Sequence, residues 1–278
     1  MSDESTSARG GQSAAAGAAT PRFDVREFAR TARGSHRGEL DLESLTHADV
    51  DVDTARLIRT LRDLERHTME RMRNLLVTAT HKDARVTAFL TTWAFEKFWI
   101  ADALDAVLEA SGHDLASPEG HRRRRFAERA ERRGPIVRAI VGNLAGPRLV
   151  AAHITTGLID EWVTSAAYRK LGELSAAVKS VADLVIEIKE RHIAFLAEDA
   201  QRRLAESARA RQLSVKEVKH SAWPLGAIDR SAEDRTFFET IVFGGTEGAA
   251  RAAEIAARIA ALPGLGRVGP IVAGRLVP

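Results

Sequence analysis

Val185-Ile186-Glu187-Ile188-Lys189-Glu190-Arg191-His192-Ile193-Ala194-Phe195-Leu196 reads as a helix, because Val185, Lys189, His192, Ile193 and Leu196 recur every three or four residues on one side. A lysine and a histidine thus stand in the middle of an apolar stripe. Charge turned toward a helical core is costly unless it is paired or bound to a metal, so the stretch predicts partners elsewhere in the chain. Three more stripes supply them. Leu57, Leu61, Leu64, Met69, Met72 and Leu76 enclose Glu65 in a stripe that begins at Asp53. Phe89, Trp93, Trp99, Ile100, Ala103 and Val107 accompany Glu96 on a helix over about 83–111 that ends at Ser111-Gly112. Ile154, Leu158 and Tyr168 accompany Glu161 on a helix that begins near Pro147, and the quoted stretch belongs to a fourth helix over about 175–212. Four helices with ionisable groups on their apolar faces predict one shared polar centre in an all-α fold. No alternating strand pattern or hairpin turn competes with that reading.

At 278 residues the chain is long enough for a sizeable core, and one main domain is expected. The absence of cysteine removes thiolate chemistry, disulfides, iron-sulfur clusters and cysteine zinc sites together. No secretory signal and no apolar run long enough to span a bilayer is evident, so a cytoplasmic protein with no membrane contact is expected. Of 41 basic residues only seven are lysine, a bias that fits a GC-rich bacterial genome. A net charge of +3 does not by itself imply a nucleic-acid partner. Residues 1–21 are rich in Ser, Ala, Gly and Thr and read as a disordered tail, and 22–50 as a lead-in segment. Residues 51–212 form the helical bundle. A C-terminal helical extension over 213–278 has helices at about 232–242 and 246–261.

In chain order the charged positions are Glu65, then Glu96-Lys97-Phe98-Trp99, then Glu161, then Lys189-Glu190-Arg191-His192. In di-iron carboxylate proteins two helices give one Glu each and two give Glu-x-x-His, whose spacing puts both side chains on one face. The order and spacing resemble the ferritin-like superfamily, and within it the acyl-carrier-protein desaturase and related oxidase branch. Trp93-Ala94-Phe95-Glu96, the run Glu161, Thr164, Tyr168, and Arg191-His192 followed by Phe195 carry the resemblance, which covers roughly residues 40–245. It implies a ferritin-like four-helix bundle with additional N- and C-terminal helices, and Glu65, Glu96, Glu161 and His192 as remnants of a metal-ligand set.

Two positions depart from the pattern. Trp99 stands where the resemblance implies a histidine, and Lys189 where it implies a glutamate. Glu190 is a poor substitute, since one residue along a helix turns the side chain by about 100°. The favoured expectation is a degenerate centre without metal, in which the Lys189 ammonium supplies positive charge among the carboxylates. The protein would then be structural or binding rather than enzymatic. One alternative is an oxidase or desaturase-like oxygenase with a mononuclear or rearranged site, where Glu96, Glu161 and His192 hold iron or another divalent metal. A further alternative is a basic docking module. Arg122, Arg123, Arg124 and Arg125 begin an arginine-rich run that suits an acidic protein partner or reads as a solvated helix face. A homodimer is also compatible with the sequence. His67 and His153 have no partner at ligand spacing and read as surface or capping residues. No phosphate loop, nucleophile elbow or His-Glu-x-x-His is present.

Overall fold

A computed structural model describes residues 22–116, 146, 148–227 and 230–278, and among these every regular element is helical. The serine- and alanine-rich tail over 1–21 and the arginine run Arg122 to Arg133 lie outside the described residues. Four segments correspond to the four stripes. Helix α3 (Val52–Arg66) is capped by Asp51, whose carboxylate accepts from the Thr54 backbone N–H. It is followed directly by α4 (Thr68–Leu76). The stripe from Leu57 to Leu76 is therefore not one helix. Its apolar spacing slips by five residues between Leu64 and Met69, and the chain breaks at His67, inside that slip.

Helix α5 (Ala84–Ala110) starts at an Asp83 cap and ends at Ser111, with Gly112 in the left-handed region at φ 72°. Helix α6 (Arg148–Leu174) and helix α7 (Lys179–Glu206) complete the set. The fourth stripe ends at Glu206 rather than at 212, because extended Ser207 caps a new helix, α8 (Ala208–His220), through its hydroxyl and the Ala210 N–H. Beyond it lie α9 (Ala232–Phe243), α10 (Gly245–Ala260) and α11 (Gly269–Leu276). The last of these carries no sequence signal strong enough to have been anticipated. The lead-in segment also folds, as α1 (Val25–Arg30) and α2 (Leu42–Thr46).

Helix α3 packs against α5 and α6, and α7 packs against α6 and α5. The start of α6 lies beside the start of α5: Thr80 Oγ1, just before α5, is 3.0 Å from His153 Nδ1. Further along both, Trp93 Nε1 lies 2.7 Å from Glu161 Oε1, so the two helices run in the same direction. Helices α8 to α10 cover the outer side of α6, and α1 and α2 lie on α5. Among the described residues no helix is long and apolar enough to cross a membrane.

Candidate functional site

All five charged side chains of the four stripes meet inside this packing. Glu65, Glu96, Glu161, Lys189 and His192 are essentially inaccessible to solvent. A sixth group joins them: Lys97, buried on α5 next to Glu96. Lys189 Nζ lies 2.6 Å from Glu161 Oε2 and 3.1 Å from Glu65 Oε1. Lys97 Nζ lies 2.7 Å from Glu65 Oε2 and 3.1 Å from Glu161 Oε1. Each carboxylate gives one oxygen to each ammonium, so the four groups close a ring of alternating charge with one member from each of α3, α5, α6 and α7.

Neutral donors complete the ring. Trp93 Nε1 donates to Glu161 Oε1 at 2.7 Å, Tyr168 OH donates to Glu65 Oε1 at 3.2 Å, and Lys189 donates to Thr164 Oγ1 at 3.0 Å. The ammoniums also lie over aromatic faces, Lys97 at 5.0 Å from the Trp93 centroid and Lys189 at 5.5 Å from that of Tyr168. Thr164 and Tyr168 sit three and seven residues after Glu161, so helical spacing alone aims all three inward.

Glu96 forms a second, adjacent cluster. Its Oε2 pairs with His192 Nε2 at 2.8 Å, while Oε1 accepts the Arg33 backbone N–H at 2.9 Å and lies 3.3 Å from Arg191 Nη1. Arg33 follows α1 in the lead-in segment, which therefore closes one side of the centre. Phe28 of α1 is T-stacked on the His192 ring at 6.0 Å. Together the two clusters hold three carboxylates against two ammoniums and the Arg191 guanidinium.

Burial alone would raise the Glu65 carboxyl, but Lys189 and Lys97 more than offset it and hold its pKa below the ordinary value. At Glu161 the same burial is opposed by Lys189, Lys97 and His192, and the pKa falls well below the ordinary value. Burial pushes the Lys97 ammonium down, yet Glu161, Glu65 and Asp160 carry it above the usual lysine value. The Tyr168 phenol is raised well above its usual value by burial and then by Glu65, which keeps it a neutral donor. Glu65, Glu161 and Lys97 therefore remain charged at neutral pH.

A divalent metal does not fit this donor set. Every carboxylate oxygen of Glu65, Glu96 and Glu161 already faces a cation or an N–H donor. Two enclosed atoms of the centre have no hydrogen-bond partner: His192 Nδ1, 3.8 Å from Glu161 Oε1, and Glu65 Oε2, which the Lys97 ammonium faces at 2.7 Å. Among the described residues, no group of three or more His, Cys, Asp or Glu side chains is arranged to hold a metal ion.

Trp99 lies apart from the centre. It is half-buried, and its ring contacts are with Phe95 and Phe98 of its own helix. From Glu96, position 99 lies about 60° around the helix on the side away from Lys97, which lies about 100° the other way. Lys97 rather than residue 99 is what α5 adds beside Glu96. His67 caps α3, its ring Nδ1 2.6 Å from Asp63 O. His153, half-buried beside Thr80, has its pKa lowered to about 4 by burial and Arg71 and is neutral at physiological pH.

Sequence reading missed Lys97, Arg33, Arg191 and Trp93 as parts of the centre. For Lys97 a signal existed: it is one of only seven lysines in the chain and sits next to a buried glutamate. The chain matches no family model, no curated protein and no solved structure.

Proposed function

We propose that this chain is a ferritin-like helical-bundle protein whose di-iron position is taken by the ammonium groups of Lys97 and Lys189, and that it acts as a structural or binding protein rather than as an oxidoreductase. The observation that carries the reading is the ring itself. Glu65 and Glu161 each bridge two positive centres with one oxygen apiece, the role that bridging carboxylates play between two metal ions. Two further features support it: the shared direction of α5 and α6, and a Glu-x-x-His remnant preserved as Lys189 and His192.

The ring makes the centre self-sufficient. An ammonium with three donors is satisfied by two carboxylates and a hydroxyl, as Lys189 is by Glu161, Glu65 and Thr164, so no external ion is needed for charge balance. The contribution of the ring is to fix four helices in one register. A mononuclear centre on Glu96, Glu161 and His192 has in its favour only the unpartnered His192 Nδ1.

Elemental analysis of wild-type protein produced in metal-replete medium tests the reading. No stoichiometric iron, manganese or zinc is expected, nor any gain in melting temperature on adding ferrous iron. About one metal ion retained per chain would instead favour the mononuclear oxidase, and about two would restore the di-iron enzyme.

A further inference from the structure

Helix α5 is apolar on two opposite sides. Its inner face carries Phe89, Trp93, Ile100 and Leu104, all buried. Its outer face carries Ala84, Ala88, Thr91, Phe95 and Phe98, all exposed, at spacings of four, three, four and three residues. That spacing is the seam of a helix that packs against another helix. Helix α6 has the same two-sided character, and there α8 to α10 cover the outer side. Among the described residues no helix covers the seam on α5, with Phe95 41% and Phe98 50% accessible. The chain is poor in aromatic residues, at 5%, so placing two phenylalanines on one open seam is not a compositional accident. Trp99 braces them, its ring edge-on at 6.2 Å to Phe95 and 5.2 Å to Phe98, and its indole N–H is enclosed without an acceptor.

We infer that this seam is the interface of a twofold homodimer in which α5 packs antiparallel on α5 of a second copy, with the axis near Thr91. The seam is self-complementary only in that sense. One half is bulky, Phe95 and Phe98, and the other is small, Ala84 and Ala88. Reversal about Thr91 sets Phe95 over Ala88 and Phe98 over Ala84 of the other copy, and by symmetry the reverse. A parallel pairing would instead stack phenylalanine on phenylalanine and leave the alanines facing a gap. The charges agree with the antiparallel choice. Beyond Phe98 lie Asp102 and Glu109, both held by Arg37 and, among the described residues, net negative, while exposed Lys82 lies just before Ala84. Antiparallel packing brings the acidic end of each copy to the basic end of the other.

Light scattering coupled to size-exclusion chromatography of the full chain at micromolar concentration reads this out directly. The wild type should show the mass of two chains. Phe98→Glu should show the mass of one, with unchanged helix content and melting temperature, because residue 98 is exposed in the single chain. Ala88→Arg, on the small half, should also give one chain, which a mere loss of apolar surface at Phe98 does not explain. Lys82→Glu and Asp102→Lys, which the reversal about Thr91 sets beside each other, should each weaken the dimer several-fold, and the pair together should restore it. A wild type with the mass of one chain, an assembly larger than two, or a dimer that survives both Phe98→Glu and Ala88→Arg would overturn the inference.

Discussion

Buried carboxylates are neutralised in two different ways in this molecule. Toward the outside of the bundle arginine does it: Asp105 is met by Arg62 and Arg66, Asp160 by Arg71, and Asp199 by Arg85, Arg202 and Arg203. At Glu65 and Glu161 in the centre lysine does it, although the chain has only seven lysines among 41 basic residues. The geometry accounts for the difference. A guanidinium is a wide planar fork that spreads its donors, as Arg62 does between Asp105 and the Leu115 carbonyl. An ammonium is a compact point charge. Such a group suits a confined place between two carboxylates that belong to different helices and share one nitrogen at 2.6 and 3.1 Å, as Lys189 does with Glu161 and Glu65. Where a position must act as a bridging cation, the chain departs from its own arginine habit.

Removing one bridging cation should have the largest effect. Lys189→Met leaves Glu65 and Glu161 with one ammonium between them, and should lower the unfolding free energy by about 3–5 kcal/mol, read from the urea midpoint. Exchange of the cation type separates the two regions next. Lys189→Arg overfills the ring and should cost about 1–3 kcal/mol, whereas Arg71→Lys toward Asp160 should cost less than about 1 kcal/mol. Equal costs at both sites would erase the distinction between compact and forked cations.

The all-α class and the meeting of Glu65, Glu96, Glu161, Lys189 and His192 were legible in the sequence because helical periodicity reports which residues share a face. What periodicity cannot report is the rotation of a helix about its own axis. Taking Glu96 and Trp99 as the inward pair turns α5 away from the orientation in which Trp93, Glu96 and Lys97 face the centre, and so hid Lys97. The break at His67 was written in the five-residue slip before Met69, and the break at Ser207 in a serine able to cap. The contribution of Arg33 was not legible, since a backbone N–H that reaches Glu96 from a loop 63 residues away leaves no mark on composition or spacing.

Acid should affect the two regions in a defined order. The depressed carboxyls of Glu65 and Glu161 contribute their full stability above the unfolded glutamate value of about 4.3, and lose it as pH falls through their lower folded values. The raised Lys97 contributes fully below about 10.4 and is lost only as pH climbs through its folded value. The urea midpoint should therefore be insensitive to these groups from about pH 5 to pH 10 and should fall on either side. A steep decline already between pH 7 and pH 5 would contradict a charged ring. The smallest effect belongs to the surface of α7: Lys179, paired with Asp183 at 2.6 Å and largely exposed, should tolerate Lys179→Met within about 0.5 kcal/mol.

The central claim is that Lys97 and Lys189 occupy the place of two cations, and it is tested most directly by taking both away and offering metal. In Lys97→Ala, Lys189→Ala, the carboxylates of Glu65, Glu96 and Glu161 and the His192 imidazole would face vacated volume with excess negative charge. The account predicts a variant that is weakly stable alone, that gains melting temperature with ferrous or manganous ion, and that retains metal through desalting, while the wild type does neither. Metal retained equally by the wild type, or a double variant that no divalent ion stabilises, would contradict it.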